Sequence, residues 1–504
     1  MPGVTTAARA TAPAGGASQA GFVDLAIYDD ALPSPGSPFR TLEYSHYLTF
    51  FERSALMSLE GWHHGFGHRG FGDLAASLPL PEAARTRIHG RAALGTIVPR
   101  LAYVTFLANA RNLLVHFEQR RIPFILQLYP GGTFEPHVAD SDDGLRRIAG
   151  SPLCRHIIAT QRLTQDYLLG PIGCDPAKVT LIYGGVFDSR VGFDFARDKK
   201  QVGRDKDTID LCFVAHRYGK DMAQKGYDHF VEVARLLSPG DARLRFHVVG
   251  DYRQDDLPLG DAASRFTFHG IQPSGFFADF YPRMDVILSG NRPLAGAAGP
   301  FDGFPTGACM EAGFRGVLNA VTDPLDLNLA FEDGRDILII DRDVARTAAR
   351  LAALFAEPPR LYALAEANWR SFRRVFDLDS QLWQRTRIIV SELLREEKLV
   401  MRPAPATCRL NDPALQIATG NWRDAERRHD NLLAAYRTLA AGYEAVLAER
   451  AERPALAEAG VTMPAQVPAQ VPAPSLPLIA RLRRRAKVRS RALAALARLR
   501  GAPE

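Results

Sequence analysis

The chain has 504 residues, of which 46% are apolar and 23% are charged, a composition typical of soluble globular proteins with more than one domain. It contains no run of about 18 consecutive apolar residues, so the sequence predicts no membrane-spanning helix. The five cysteines are scattered without zinc-ligand or redox spacing, which indicates a reducing compartment. We therefore expect a cytoplasmic protein.

The chain begins with a segment rich in Ala, Thr, Gly and Pro. Residues 1–21 lack the apolar stretch of a secretory signal and have too few large apolar side chains to form a core. We expect this segment to be a disordered arm.

From residue 22 the pattern alternates between short apolar runs and longer amphipathic stretches. Continuous apolar strands separated by helices are typical of a parallel sheet that is covered on both faces. The sequence therefore predicts a first Rossmann-like, doubly wound α/β domain over residues 22–195. Its predicted strands are 22–28, 102–107, 123–129, 156–160 and 179–183, and its predicted helices are 42–56, 109–120 and 161–169.

A charged segment at residues 194–206 marks the predicted domain boundary, and the same alternation then begins again. We expect a second Rossmann-like domain over residues 206–377. The helix predicted at residues 378–398 is expected to cross back to the first domain. The strands of the second domain are predicted at 209–214, 244–249, 266–268, 286–289, 317–320 and 337–340, and its helices at 227–237, 275–281, 305–314, 344–355 and 359–372.

Two successive doubly wound domains place a cleft between them. Ligands of such sheets bind outside the carboxyl ends of the strands. The loops expected to line the cleft are 29–38, 129–137, 215–226, 250–253 and 289–306.

The last hundred residues differ in character from the two domains. Residues 420–452 are predicted to be a short helical or coiled-coil segment, because leucine and valine recur every seven positions. Within it, residues 424–452 are compatible either with pairing of two copies of the chain or with packing on the chain itself. Residues 453–477 form a Pro/Ala linker. Residues 478–500 carry nine basic residues and no acidic one beside a leucine face, which favours a helix on an anionic membrane surface. No aromatic stacking platform accompanies this charge, so we expect no nucleic-acid partner.

The most informative motif lies at residues 300–313, where a glycine-rich turn leads into a predicted helix. Glycines allow close backbone approach to a ligand, and a proline suits the first turn of a helix. The free N–H groups of that first turn attract anions. Asp302 stands before the helix and Glu311 about two turns into it, and carboxylates accept hydrogen bonds from sugar hydroxyls. This combination suits a nucleotide sugar.

A second motif, at residues 213–227, joins a strand to a helix through a loop with three cations, Arg217, Lys220 and Lys225. Sugar transfer from a nucleotide sugar leaves negative charge on the β-phosphate, which a metal or fixed cations must stabilise. No Asp-x-Asp motif follows a strand, so we expect Arg217 and Lys225 to act in place of a metal. Lys220 is also compatible with a solvated loop charge.

Together these motifs resemble glycosyltransferase family 4, retaining enzymes with the GT-B double-Rossmann fold. Arg217 and the Lys225-Gly226 pair resemble the family's Arg and Lys-Gly element. The stretch 302–312 resembles its Glu-Gly-Phe-Gly/Pro motif with a second Glu, and 183–186 resembles its Asn-Gly-Val element. The likeness covers about residues 22–398 and is strongest over 209–342.

The resemblance implies roles for individual residues. Arg217 and Lys225 would neutralise the donor diphosphate, and Glu311 would hold the ribose. Asp302 would receive sugar hydroxyls, and Gly36 would let the first loop close over the diphosphate. The amides near the sugar and phosphate would be those of Gly303, Phe304, Pro305 and Thr306, where Pro305 supplies the turn and no N–H.

The sequence departs from the family pattern at two places. Eight residues, not seven, separate Asp302 from Glu311. Family members often carry a histidine after the strand that here ends at Gly131 and Gly132, whereas His137 lies further along. These three residues are the acceptor-side candidates.

The sequence thus predicts a retaining, metal-independent, cofactor-free transfer of sugar from a UDP- or GDP-linked donor. The acceptor is expected to be a glycan or lipid-linked glycan of a bacterial-type surface polysaccharide, such as lipopolysaccharide. Other functions on this fold remain open: a sugar-nucleotide epimerase, a phosphorylase, or a non-catalytic nucleotide-sugar-binding scaffold. The stretch 65–70 matches a dinucleotide fingerprint, but it follows no apolar strand, so we interpret it as a loop.

Overall fold

The computed structural model describes residues 21–400, apart from 31, 33–37, 61–69, 79, 218–221 and 294–297, together with positions 434 and 441. The predicted arm, coiled coil, linker and basic helix therefore lie outside the described residues, except that Gly21, assigned above to the arm, begins the first strand. Gly36 and Lys220 also lie outside them. In the part of the chain that is described, no helix is both long and apolar enough to cross a bilayer.

The first half forms a seven-stranded parallel sheet in the order β3-β2-β1-β4-β5-β6-β7. Its middle strands are buried on both faces, which explains their continuous apolar sequences. The strands are β1 Gly21–Asp29, β2 Ser54–Ser58, β3 Ile88–His89, β4 Ile97–Thr105, β5 Phe124–Leu128, β6 Cys154–Ala159 and β7 Val179–Leu181.

The second half forms a six-stranded parallel sheet in the order β10-β9-β8-β11-β12-β13. Strand order reverses between β8 and β11, as it does between β1 and β4 in the first sheet, and these points are where doubly wound sheets bind ligands. The strands are β8 Ile209–Val214, β9 Leu244–Val249, β10 Phe266–Gly270, β11 Val286–Ser289, β12 Leu318–Thr322 and β13 Leu338–Ile340.

Helices connect the strands and cover the sheets. They are α1 Pro38–Phe50, α2 Phe71–Ser77, α3 Glu82–Arg85, α4 Leu107–Arg120, α5 Ala139–Gly150, α6 Arg162–Leu169, α7 Phe195–Asp198, α8 Tyr227–Leu237, α9 Phe277–Phe280, α10 Gly307–Gly313, α11 Val344–Ala356, α12 Pro358–Val375 and α13 Leu378–Val400.

The helix predicted at 42–56 is wrong in its second half. Helix α1 ends at Phe50, and Ser54–Ser58 is strand β2, whose five residues are all buried. This segment pairs in parallel with β1, with Leu25 opposite Ser54, and that pairing satisfies its backbone while burying both of its faces. Helix α5 was not predicted, because its sequence is polar on most positions and contains glycine.

The last helix, α13, lies against β4, β6 and α1 of the first sheet. Its Arg385 is fully buried and donates from Nε to Gln127 Oε1 at 2.7 Å. Both sheets belong to one compact unit, so the domain boundary predicted at residues 194–206 stays a prediction.

The carboxyl edges of the two sheets meet through their loops. The amide of Gly299 donates to the carbonyl of Pro136 at 3.1 Å, and the rings of Phe134 and Phe301 contact edge to face. The two halves therefore face each other across the region that contains the sequence-predicted site.

Candidate functional site

The glycine-rich turn at residues 300–306 follows β11 and leads into a helix, as the sequence predicts. The helix begins at Gly307, however, so Pro305 lies before its N-cap and not in its first turn. Thr306 caps the helix, because its hydroxyl oxygen accepts a hydrogen bond from the amide of Cys309 at 3.4 Å. Residues 302–306 line a cavity of about 30 Å³, together with residues 321–325, which comprise the end of β12 and the start of the loop that follows it. Asp302, Gly303, Phe304, Pro305 and Thr306 thus border one cavity.

Lys225 lies against this turn. Its Nζ is 2.6 Å from Oδ1 and 2.7 Å from Oδ2 of Asp302, and the Lys225 side chain is 13% exposed. The charge of Lys225 also contributes to lowering the pKa of His216, after the larger effect of burial. The structure therefore brings together the lysine of one sequence motif and the first carboxylate of the other.

Two glycines place Lys225. Gly226 has φ of +78°, a conformation that L side chains rarely adopt, and a Cβ there would overlap the backbone of Gly290. Gly290 in turn leaves no room for a side chain beside His229. The loop before α8 and the loop after β11 are therefore in direct backbone contact. The sequence motif indicates the Lys-Gly pair but not its partner Gly290.

Arg217 is held by a residue that the sequence analysis missed. Both carboxylate oxygens of Asp256 lie 3.1 Å from its Nη1, and the carbonyl of Asp251 lies 3.4 Å from the same nitrogen. The predicted loop 250–253 after β9 stops three residues short of Asp256. Asp256 could have been found by including the whole loop at the carboxyl edge of β9, because ligands of such sheets bind there.

A buried tyrosine links the two cations. Burial raises the pKa of Tyr252 to about 12; the charge of Arg217 opposes this rise, and that of Asp302 adds to it. The guanidinium carbon of Arg217 lies 6.0 Å from the centre of the Tyr252 ring. Arg217 and the Lys225–Asp302 pair therefore share one electrostatic environment.

Glu311 lies in α10, behind the turn. Burial raises the pKa of its carboxyl above the ordinary value, and the charge of Arg315 opposes the rise. The hydrogen bond that Arg315 donates to this residue goes to the backbone carbonyl, at 3.3 Å. Glu311 is partly buried, and a carboxylate removed from water in this way gains from polar hydrogens that a ligand supplies, such as ribose hydroxyls.

The acceptor-side candidates lie after β5, facing the turn. Gly131 and Gly132 have φ of +83° and +55°, and a Cβ on Gly132 would overlap the ring of Phe106. His137 is exposed, and its amide donates to the hydroxyl of Tyr167 at 2.7 Å. The adjoining Pro136 carbonyl accepts from Gly299, so this loop contacts the segment that precedes Asp302.

One further residue of the first half touches the turn. Gln161 is buried, and a Cβ on Gly303 would lie 2.9 Å from its Nε2, which donates to the Phe304 carbonyl at 3.5 Å. A side chain at position 303 would therefore displace the Gln161 amide from this close approach across the two halves. No group of three or more histidine, cysteine or acidic side chains suited to a metal ion occurs within the described residues.

No protein-family model matches the sequence, and neither does any curated protein. Solved structures do match. HepE of Anabaena, in complex with UDP and glucose, superimposes with a TM-score of 0.53 at 13% identity, over 73% of this chain and 100% of HepE. The chain has the GT-B fold. Sucrose-phosphate synthase of Thermosynechococcus elongatus gives a TM-score of 0.51 at 12% identity, over 74% of this chain and 100% of the synthase.

A glycosyltransferase of Rickettsia africae gives a TM-score of 0.50 at 14% identity, over 74% of this chain and 99% of that protein. The part of this chain that these structures cover is about as long as its two Rossmann-like halves together. The predicted GT-B architecture, with two doubly wound halves, is therefore confirmed.

Proposed function

We propose that this chain is a retaining glycosyltransferase, similar to family 4, that transfers a sugar from a nucleoside-diphosphate donor to a glycan or lipid-linked glycan. The observation that carries the proposal is the Lys225–Asp302 pair at the turn before α10. It places a cation beside a hydroxyl acceptor, Asp302, and Asp302 lines the cavity at this turn. In a nucleoside-diphosphate sugar, the bond that breaks joins the sugar to the β-phosphate. A site that binds it therefore needs a cation for the phosphate and a hydroxyl acceptor for the sugar close to that bond.

The chemistry assigns each side chain a task. When the bond between the anomeric carbon and the β-phosphate oxygen breaks, negative charge develops on that oxygen. Lys225 and Arg217 supply fixed positive charge for it, which removes the need for a metal. Asp302 accepts hydroxyls of the sugar, and Glu311 accepts those of the ribose. The amides at Gly303, Phe304 and Thr306 provide further donors.

The acceptor binds to the first half in this proposal. Gly131, Gly132 and His137 lie in the loop that contacts the segment before Asp302, so an acceptor hydroxyl held there lies close to the donor. Closure of the two halves excludes water and limits hydrolysis of the donor. UDP is the first nucleotide to test, because HepE, which has the same fold, was solved in complex with UDP and with UDP-glucose.

The remaining parts of the proposal concern segments outside the described residues. Residues 478–500 bind the anionic inner face of the membrane, where lipid-linked acceptors are available, and 424–452 pair two copies. Gly36 lets the first loop close over the diphosphate, and Lys220 adds to the positive charge. The protein is then cytoplasmic and peripheral to the membrane.

The test is a thermal-shift titration of the wild type and Glu311→Ala with UDP, GDP, ADP and their sugar conjugates, with and without EDTA. Binding to the native state raises the melting temperature by mass action. We expect one diphosphate to stabilise the wild type equally in EDTA and to stabilise Glu311→Ala much less. A wild type that no diphosphate stabilises contradicts the proposal. Stabilisation that EDTA abolishes contradicts its metal independence.

A further inference from the structure

The role of Asp256 follows from how it contacts Arg217. Both carboxylate oxygens approach the same nitrogen, Nη1, at 3.1 Å, and the two side chains are 15% and 21% exposed. A guanidinium has five N–H donors in a rigid fork. Asp256 and the carbonyl of Asp251 both contact Nη1, so these contacts fix the position of that end of the fork.

The loop that carries Asp256 is itself anchored. Its Oδ2 accepts a hydrogen bond from the amide of Arg253 at 2.8 Å. The buried ring of Tyr252 packs on Phe213 of β8 at 5.1 Å and on Tyr227 of α8 at 4.7 Å between ring centres. Phe213 comes shortly before Arg217, and Tyr227 follows the Lys225-Gly226 pair. Asp256 is therefore fixed to the two elements that carry the proposed diphosphate cations.

The contact between Asp256 and Arg217 is similar to the contact between Asp302 and Lys225. Asp302 holds Lys225 with both oxygens, as Asp256 holds Arg217. A long cationic side chain loses about 2 kcal/mol of rotamer freedom when it is ordered. A carboxylate that orders it beforehand removes much of that cost from ligand binding.

We propose that Asp256 is a positioning residue: it orients the guanidinium of Arg217 toward the diphosphate of the donor. This inference rests on the proposed function, because it names the group that prepares one of the two cations. Asp256 acts only through Arg217 and touches no substrate.

The experiment compares Asp256→Asn with Asp255→Asn. Asp255 is exposed and adjacent, so both variants remove one negative charge from the same loop. We expect Asp256→Asn to weaken binding of the nucleoside diphosphate that stabilises the wild type, and to raise the donor KM, by about tenfold. Asp255→Asn should match the wild type in both measurements.

A double variant separates positioning from general damage. If Asp256 acts through Arg217, then adding Asp256→Asn to Arg217→Ala causes no further loss of diphosphate affinity. A further loss of similar size in that background overturns the proposal. So does tighter binding by Asp256→Asn, because it means that the carboxylate competes with the diphosphate. If the wild type binds no diphosphate, the proposed function fails as well; if it binds and the two single variants are equal, only the role of Asp256 fails.

Discussion

Lys225 and Asp302 are 77 residues apart in the chain, yet the Nζ of the lysine lies within 2.7 Å of both carboxylate oxygens of the aspartate. The pair joins the loop after β8 to the turn after β11, the two strands at which the order of the second sheet reverses. The departure of Asp302 from the family spacing thus leaves its carboxylate in contact with the cation of the other motif.

Replacing Lys225 tests the charge of this pair. Lys225→Met keeps most of the length of the side chain but removes the cation that we propose faces the leaving phosphate. We expect donor turnover to fall at least about a hundredfold. The measurement is the initial rate of nucleoside-diphosphate release with acceptor present. Lys200→Met removes an exposed lysine from the same half and serves as the control. Near-normal turnover in Lys225→Met contradicts the assigned role.

Gly226 is expected to be intolerant of any side chain. Gly226→Ala forces a Cβ against the backbone of Gly290 at a positive φ, so the loop that carries Lys225 must move. We expect a loss of roughly 2 to 4 kcal/mol of unfolding free energy, together with weaker diphosphate binding. Urea unfolding and thermal-shift titration measure the two effects. Gly240→Ala is the control, since its nearest neighbour, the Leu237 carbonyl, lies at an ordinary 3.6 Å. Equal behaviour of the two variants contradicts the close approach.

Glu311 predicts a pH dependence of nucleotide binding. Burial raises its pKa above the usual 4.5, so the ionised form is lost at a higher pH than for an exposed glutamate. Ribose hydroxyls bind the ionised form best, so the affinity for the nucleoside diphosphate should fall as the pH falls through this raised pKa. Glu311→Gln should bind more weakly at neutral pH and lack this part of the dependence. Isothermal titration at several pH values measures it.

Pyrophosphate provides the control for the Glu311 experiment. It carries the diphosphate but no ribose, so its binding should have the same pH dependence in the wild type and in Glu311→Gln. A difference between the two proteins with pyrophosphate means that Glu311 acts on the phosphates instead.

The lowered pKa of Lys199 should make the free energy of unfolding depend on pH. It is fully buried, and burial lowers its pKa from 10.5 to about 8, although Asp285 opposes the shift. Between these values the unfolded chain binds a proton that the folded chain does not, so stability rises with pH across this window. The full effect is about 3 kcal/mol. Lys199→Met should lack this rise in urea unfolding between pH 8 and pH 10, whereas Lys200→Met should retain it. An unchanged slope in Lys199→Met contradicts the shifted pKa.

Much of the second sheet could be predicted from local pattern. Strands β8, β9 and β11 have the bounds that the sequence predicts, because each is a short apolar run between charged or glycine-containing loops. Strand β2 could not be predicted in this way. Its five residues follow an amphipathic helix after a short turn, and pairing with β1 decides their conformation.

The residues of the candidate site also fall into those that the sequence indicates and those that only the structure shows. Arg217, Lys225, Asp302 and Glu311 were found from residue type and from their position after strands. Asp256, Gly290 and Gln161 were not, because each matters through a contact with a residue distant in sequence. No periodicity of the local chain indicates such a contact.

By itself, the sequence determined that two parallel sheets form and that cations and carboxylates collect at the carboxyl edge of the second. Apolar runs and loop composition are local properties, so they can be read without coordinates. Only the tertiary structure decided which carboxylate meets which cation, since Arg217 and Asp256 are 39 positions apart and Lys225 and Asp302 are 77 positions apart. Those pairings depend on strand order and on backbone contact at glycines, which are set when the sheet assembles.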